Sequence, residues 1–196
     1  MIPDGYTDID LGKIASVVTF LEMTNRPPCT APSSNAVTLR QVRNPGLDWY
    51  LQLYQRAGAQ WLWFSRLEMT ADELSGLLNR ATTELYVAEH QAAEIGMAEL
   101  DRSHPPHVEI TSFALFPEAI GKGFGRAFMA ALLDRAWNGG AERVWLHTCN
   151  LDGPATLSFY LKCGFRPYKR AVEVADDPRL RGILPEDAAP HVPIIR

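Results

Sequence analysis

Residues 116–133, FPEAIGKGFGRAFMAALL, hold the densest group of residues whose types and spacing could do chemistry. After Pro117 the chain turns through Gly121, Lys122, Gly123, Phe124 and Gly125 into a run with helical periodicity. Glycines at such a turn let backbone N–H groups converge on one point without Cβ obstruction. The helix start adds about half a positive charge there, and Lys122 and Arg126 add more. Together these suit a phosphate group, although the same glycines also serve a purely structural turn. Two common phosphate loops are excluded. A Walker loop needs Lys-Ser/Thr after its last glycine, and Arg126-Ala127 follows Gly125 here. A dinucleotide fingerprint needs an N-terminal βαβ unit, and this turn lies in the second half of the chain.

Several titratable side chains sit where proton transfer could use them. Glu109 lies in the otherwise apolar run VEITSFALF at 108–116, where a desolvated carboxylate becomes a better proton acceptor. The alternative is a position near the strand's exposed end, paired with Arg102 or His107. Tyr160 carries a phenol with an ordinary pKa of about 10, able to donate to a departing anion, or else simply a ring for the core. His147, among Val144, Trp145 and Leu146, is either a base or a hydrogen-bonded core residue. Cys149 and Cys163 would permit a covalent nucleophilic route, but neither has a His/Asp set nearby in sequence. Trp61, Trp63 and Phe64 place three large rings within four residues. They cannot all point one way on a helix or a strand. One tryptophan is therefore expected to face a ligand, as a flat wall for a cationic amine, while the rest pack in the core.

Positioning these groups requires a sheet. The pattern predicts strands at 12–24, 36–42, 83–89, 93–100, 108–116 and 143–149, and a last one from Phe165. It predicts helices at 47–57, from Thr70 with Glu73 completing a capping box, at 123–138, and at 154–163 opening on Pro154. In the long helix Phe124, Phe128, Leu132 and Ala136 recur every four residues. The Pro/Ser-rich stretch 26–36 reads as a linker and the Pro/Asp-rich tail as extended over the surface. The organisation is thus an extra strand and linker over 1–35, one main domain over 36–175, and an extended tail over 176–196. The order of elements gives an α/β (α+β) fold, a mixed sheet with helices on both faces.

Composition narrows the function classes. A net charge of -4 leaves no basic footprint for nucleic acid or an anionic membrane. No uncharged run approaches the roughly 20 residues that span a bilayer. Cys29, Cys149 and Cys163 lie far apart with no CxxC spacing, which predicts reduced thiols rather than disulfides or a metal site. The opening Met1–Gly5 is neither basic nor followed by an apolar core, so a cytoplasmic protein is expected.

Two motifs make the chain resemble the GNAT N-acetyltransferases. In that family a strand is followed by Gln/Arg-x-x-Gly-x-Gly/Ala and a helix, and Gly123-x-Gly125 occupies the glycine positions. A second element, a helix ending in Tyr-x-x-x-Gly-Phe, is matched by Tyr160, Gly164 and Phe165. The motifs occur in the family's order with one strand between them, and the resemblance covers about residues 36–172. It implies a GNAT fold, a mixed, mostly antiparallel sheet splayed where strand 108–116 meets strand 143–149. It implies acetyl-CoA as cosubstrate, no metal, and direct attack by a primary amine on the thioester. Phe113, Ala114 and Leu115 would pair with the pantetheine arm. Ile120, Gly121, Lys122, Gly123, Phe124, Gly125 and Arg126 would hold the pyrophosphate. Glu109 would be the general base, as in the histone-type members, and Tyr160 the general acid. Trp61 and Trp63 would meet the acceptor, a small-molecule or peptide amine.

The chain departs from the family pattern twice. Ile120 replaces the Gln/Arg and leaves only its backbone. Gly153 replaces an Asn, so Asn150 or Asp152 is expected to supply the polar contact to the arm. The rival reading is a non-catalytic acyl-CoA-binding module. A homodimer could form on the edge of the extra N-terminal strand.

Overall fold

In the computed structural model, which describes residues 4–26 and 36–196, seven strands form one sheet. Cys29 lies outside the described residues. The strands are β1 (Lys13–Met23), β2 (Thr38–Val42), β3 (Thr83–His90), β4 (Ala93–His104), β5 (His107–Leu115), β6 (Arg143–Cys149) and β7 (Arg166–Asp176). The helices are α1 (Leu47–Gly58), α2 (Ala71–Leu78), α3 (Phe124–Trp137) and α4 (Thr156–Lys162). The α2 start is the expected capping box: Glu73 N–H donates to the Thr70 hydroxyl, and the Glu73 carboxylate accepts the Thr70 N–H at 2.9 Å. α4 begins later than its Pro154 suggested, because Pro154 and Ala155 form a turn before it.

The strand order is β2-β3-β4-β5-β6-β1-β7, and every neighbouring pair is antiparallel except β5 with β6. That parallel pair holds for only three positions, His107 with Arg143, Val108 with Val144 and Glu109 with Trp145. Beyond Glu109 the two strands part. On its other side β5 is bulged: Glu99 faces Ser112 and Leu100 faces Ile110, which leaves Thr111 as the extra residue. Helices cover both faces. Phe128 and Leu132 of α3 pack on Leu100, Val144 and Leu146, and Tyr50, Leu53 and Leu74 from α1 and α2 pack on Leu85 and Val87.

Two expectations need correction. The N-terminal strand is not an addition beside the main sheet. β1 lies inside it, antiparallel to β6 over Val18–Met23 and to β7 over Lys13–Glu22. It has a neighbouring strand on each edge, so it is an interior strand and not the exposed extra edge expected for a second subunit. Its Ile14, Val18, Leu21 and Met23 are buried while Ala15 and Val17 between them are exposed, the alternation of a strand with one face on the core. The tail is also not extended. It folds back in turns, and Leu184 and Ala189 are buried with Ile14 and Leu62. Within it Asp177 and Arg179 form a fully buried ion pair at 2.7 Å. Arg179 also donates to the carbonyls of Ala188 at 3.2 Å and Val192 at 2.8 Å, closing the tail on itself.

Removing one member of a buried pair strands the other charge. Arg179→Ala should therefore cost about 3–5 kcal/mol in urea unfolding. A loss below about 1 kcal/mol would show that the tail stands outside the cooperative unit.

Candidate functional site

Where β5 and β6 part, a cleft of about 400 Å³ opens. One wall is the freed edge of β5 at Phe113, Ala114 and Leu115, and the opposite wall is α4 with Phe159 and Tyr160. Ile120 and Gly125 close the end nearest α3. A Cβ on Gly125 would stand 3.3 Å from the Phe159 ring, so the glycine lets α3 begin against α4. Gly123 precedes α3 with φ of 83°, and the helix has no side-chain cap, unlike α2. Its leading N–H groups are therefore left for water or a ligand. Lys122 and Arg126 are exposed on either side of this start. The ring of Phe124 turns to His90, 4.6 Å between centroids, so only its backbone serves the expected contact.

A second cavity of about 210 Å³ adjoins the cleft, and the two share Trp61, Trp63, Thr111, Ser112, His147 and Asp152. Its remaining wall includes Phe64, Cys149 and Glu173. After α1 the chain makes a short 3₁₀ turn, and Leu62 takes a left-handed φ of 56° and is buried. Trp61 and Trp63 on either side of it are half-buried and line both cavities. A Cβ on Gly58 would fall 2.4 Å from that of Trp63, so only glycine allows the turn to fold back. The Trp63 indole N–H donates to Asp152 at 3.2 Å. Trp61 meets the tail residue His191 edge-on at 5.9 Å and lies over Gly153, where a Cβ would stand 3.2 Å from the ring. The missing Asn side chain thus makes room for Trp61.

The titratable groups separate by position. Tyr160 is buried and lines the cleft, and burial together with the Asp152 charge pushes its phenol well above the usual range. Glu109 lines neither cavity, contrary to its expected place at the reaction centre. It sits at the last paired position, with Oε1 3.4 Å from Nδ1 of His147, and His147 borders both cavities. The bond to Glu109 raises the His147 pKa, against the opposing effect of burial. Burial pushes the Cys149 and Cys163 thiols up. Asn150 does not line the cleft. Its side-chain oxygen accepts the Val17 N–H at 2.6 Å and ties the loop to β1. Asp152 takes the cleft position instead, accepting from the Thr148 hydroxyl at 2.5 Å and the Cys149 N–H at 3.1 Å.

Sequence reasoning missed the network behind Thr111 and Ser112. Glu99 is fully buried and accepts from the Tyr50 hydroxyl, from Arg66 at 3.1 Å, and from the Thr111 and Ser112 hydroxyls at 3.3 and 3.2 Å. One carboxylate therefore joins α1, the loop after the tryptophans and the bulge of β5. The available signal was a charged residue in the middle of the buried run Ile95–Leu100. Among the described residues no group of three or more His, Cys, Asp or Glu side chains could hold a metal ion, and no helix is long and apolar enough to cross a membrane.

A family model described as "Acetyltransferase (GNAT) family" matches residues 48–165, more than half of the chain. An uncharacterised N-acetyltransferase of Mycobacterium tuberculosis is 34% identical over 82 residues, covering 42% of this chain and 52% of that protein. The chain thus matches about half the length of its curated relatives. Among solved structures, a Bacillus subtilis acetyltransferase in complex with CoA has a TM-score of 0.51 at 25% identity, covering 66% of this chain and 76% of that one. A functionally unknown conserved protein from Staphylococcus epidermidis has a TM-score of 0.58 at 16% identity, covering 85% and 64%, and shares the fold.

The Glu99 network carries its own test. Glu99→Ala leaves the part-buried Arg66 without its carboxylate and should lower the unfolding free energy by up to about 3–5 kcal/mol. Glu99→Gln keeps an acceptor for the hydroxyls and should cost less. Equal losses in the two variants would show that the charge is not what the network needs.

Proposed function

We propose, from the premise that this chain belongs to the acetyltransferase (GNAT) family, that it transfers an acetyl group from acetyl-CoA to a primary amine while holding both at once. The observation that carries the reading is the common wall of the two cavities at Trp61, Trp63, Thr111, Ser112, His147 and Asp152. A donor in the larger and an acceptor in the smaller would meet there, already oriented for attack. The Bacillus subtilis relative, crystallised with CoA, supports the choice of donor.

The residues present fit coenzyme A. The uncapped start of α3 with Gly121, Gly123 and Gly125 suits the pyrophosphate, and the freed edge of β5 suits the amides of the pantetheine arm. Bound acetyl-CoA supplies an activated thioester. The smaller cavity takes the amine: Trp61 and Trp63 give it flat walls, and Asp152 and Glu173 give it negative charge. An amine must be neutral to attack. His147 accepts its proton, with Nδ1 turned to Glu109 and the other ring nitrogen left to act. Glu109 is then a positioning residue, one step behind the base. Tyr160 stays protonated because it is buried, and donates to the leaving thiolate. Thiols pushed away from their reactive form at Cys149 and Cys163 favour direct transfer over an acyl-cysteine. Free thiols also fit a reducing compartment such as the cytoplasm.

Acetyl-CoA at about 100 times its dissociation constant should stabilise the fold by about 2.7 kcal/mol. Gly123→Asp places a carboxylate where the phosphate sits and should abolish that protection. Protection unchanged in this variant would move the phosphate site elsewhere.

The proton chemistry predicts a pH dependence with a definite sign. Because His147 must be neutral and Glu109 raises its pKa, the rate should climb as pH rises through a value above 6.5. Glu109→Gln removes that support, so the acidic limb should shift to lower pH while the maximal rate falls. An unmoved limb would remove the pair from the mechanism. Tyr160→Phe should slow turnover by about 10²–10⁴-fold, with the acetyl-CoA dissociation constant held.

A further inference from the structure

β7 ends the sheet, and among the described residues no backbone hydrogen bond engages its outer edge. It is eleven residues long, RPYKRAVEVAD, and most of it is exposed on both faces. Tyr168, Val172 and Val174 are exposed at 42%, 47% and 46%, and Val17 on the neighbouring strand is exposed as well. A long edge with apolar side chains is a template for another strand. Its sequence indicates which strand.

We propose that β7 pairs antiparallel with β7 of a second copy of this chain, about a two-fold axis at Ala171, to make a continuous sheet across a homodimer. Antiparallel ladders alternate hydrogen-bonded and non-hydrogen-bonded pairs, so a two-fold axis can pass only where one residue faces its own copy. Few registers then remain. Centring on Lys169, Arg170 or Glu173 sets like charges opposite each other. Centring on Val172 leaves every charge opposite an uncharged residue. Centring on Ala171 sets Lys169 opposite Glu173 twice and Arg170 opposite Val172 twice, with no like-charge pair. Ala171 is also the midpoint of Arg166–Asp176, and the register runs unbroken over Lys169–Glu173, up to the bulge at Tyr168 where Phe20 faces Lys169 and Leu21 faces Pro167.

Cross-strand charge pairs are among the contacts that stabilise sheets. Lys169 and Glu173 are both exposed and able to reach across, Lys169 lying over the Phe20 ring of its own chain at 4.7 Å. Glu173 lines the smaller cavity. The pairing therefore sets Lys169 of the second copy against a carboxylate of that cavity.

Sedimentation velocity over a range of concentrations at low ionic strength tests the register. The wild-type chain should be a dimer. Lys169→Glu puts two glutamate pairs face to face and should weaken the dimer by about tenfold or more. Combining it with Glu173→Lys reverses both partners and should restore association, while circular dichroism follows the fold of each variant. Ala171→Cys, opposite its own copy, should become cross-linked by a short bifunctional thiol reagent, a readout that does not require charge reversal to be tolerated. A wild-type chain that stays monomeric, a dimer indifferent to Lys169→Glu, or a double variant no better than the single would each overturn the proposal.

Discussion

The site depends on β5 and β6 pairing for three residues and then separating. Parallel strands side by side would satisfy each other's backbone groups. Past Glu109 and Trp145 they do not, and N–H and C=O groups of β5 face an open cleft. Buried backbone groups without partners cost free energy, so the opening persists only because other contacts hold its sides apart. On the β5 side these are the Thr111 bulge and the Glu99 carboxylate beneath it. On the β6 side they are Asp152, which ties the loop after the strand to Trp63, and α4, whose Phe159 stacks on Phe113 while Tyr160 meets the same ring edge-on. A ligand with amide groups along its length can complete what the strands leave unpaired.

The two departures from the family's motifs fit this geometry. Gly153 lacks a side chain where the Trp61 ring lies, and Asp152 beside it lines the cleft with that ring. Ile120 is exposed at 47% and lines the cleft, where it contributes apolar surface rather than a hydrogen bond. The neighbouring glycines keep their conformations. Gly121 and Gly123 have φ of 80° and 83°, a region where most side chains are strained.

What could be read from the sequence followed local rules. The Thr70 capping box, the four-residue repeat of α3, the hairpin of β3 and β4 and the glycine turn are each written within a few consecutive residues. What could not be read depended on partners distant in the chain. Nothing in KIASVVTFLEM says that β1 enters between β6 and β7, because that depends on which edges those strands leave free. The tail looked extended from its prolines, and only the buried Asp177–Arg179 pair reveals that it folds. Glu109 was placed in the correct strand. Its distance from the cavities follows from where the strands part, and no spacing records that.

Direct transfer requires that two ligands be held at once, one on each side of the shared wall. Initial rates measured while acetyl-CoA and an accepted amine are both varied test it most directly. Double-reciprocal plots should intersect, because both substrates must be bound before the acetyl group moves. Parallel lines would mean that the acetyl group is first parked on the protein and the amine arrives afterwards. That result would contradict direct transfer across the common wall.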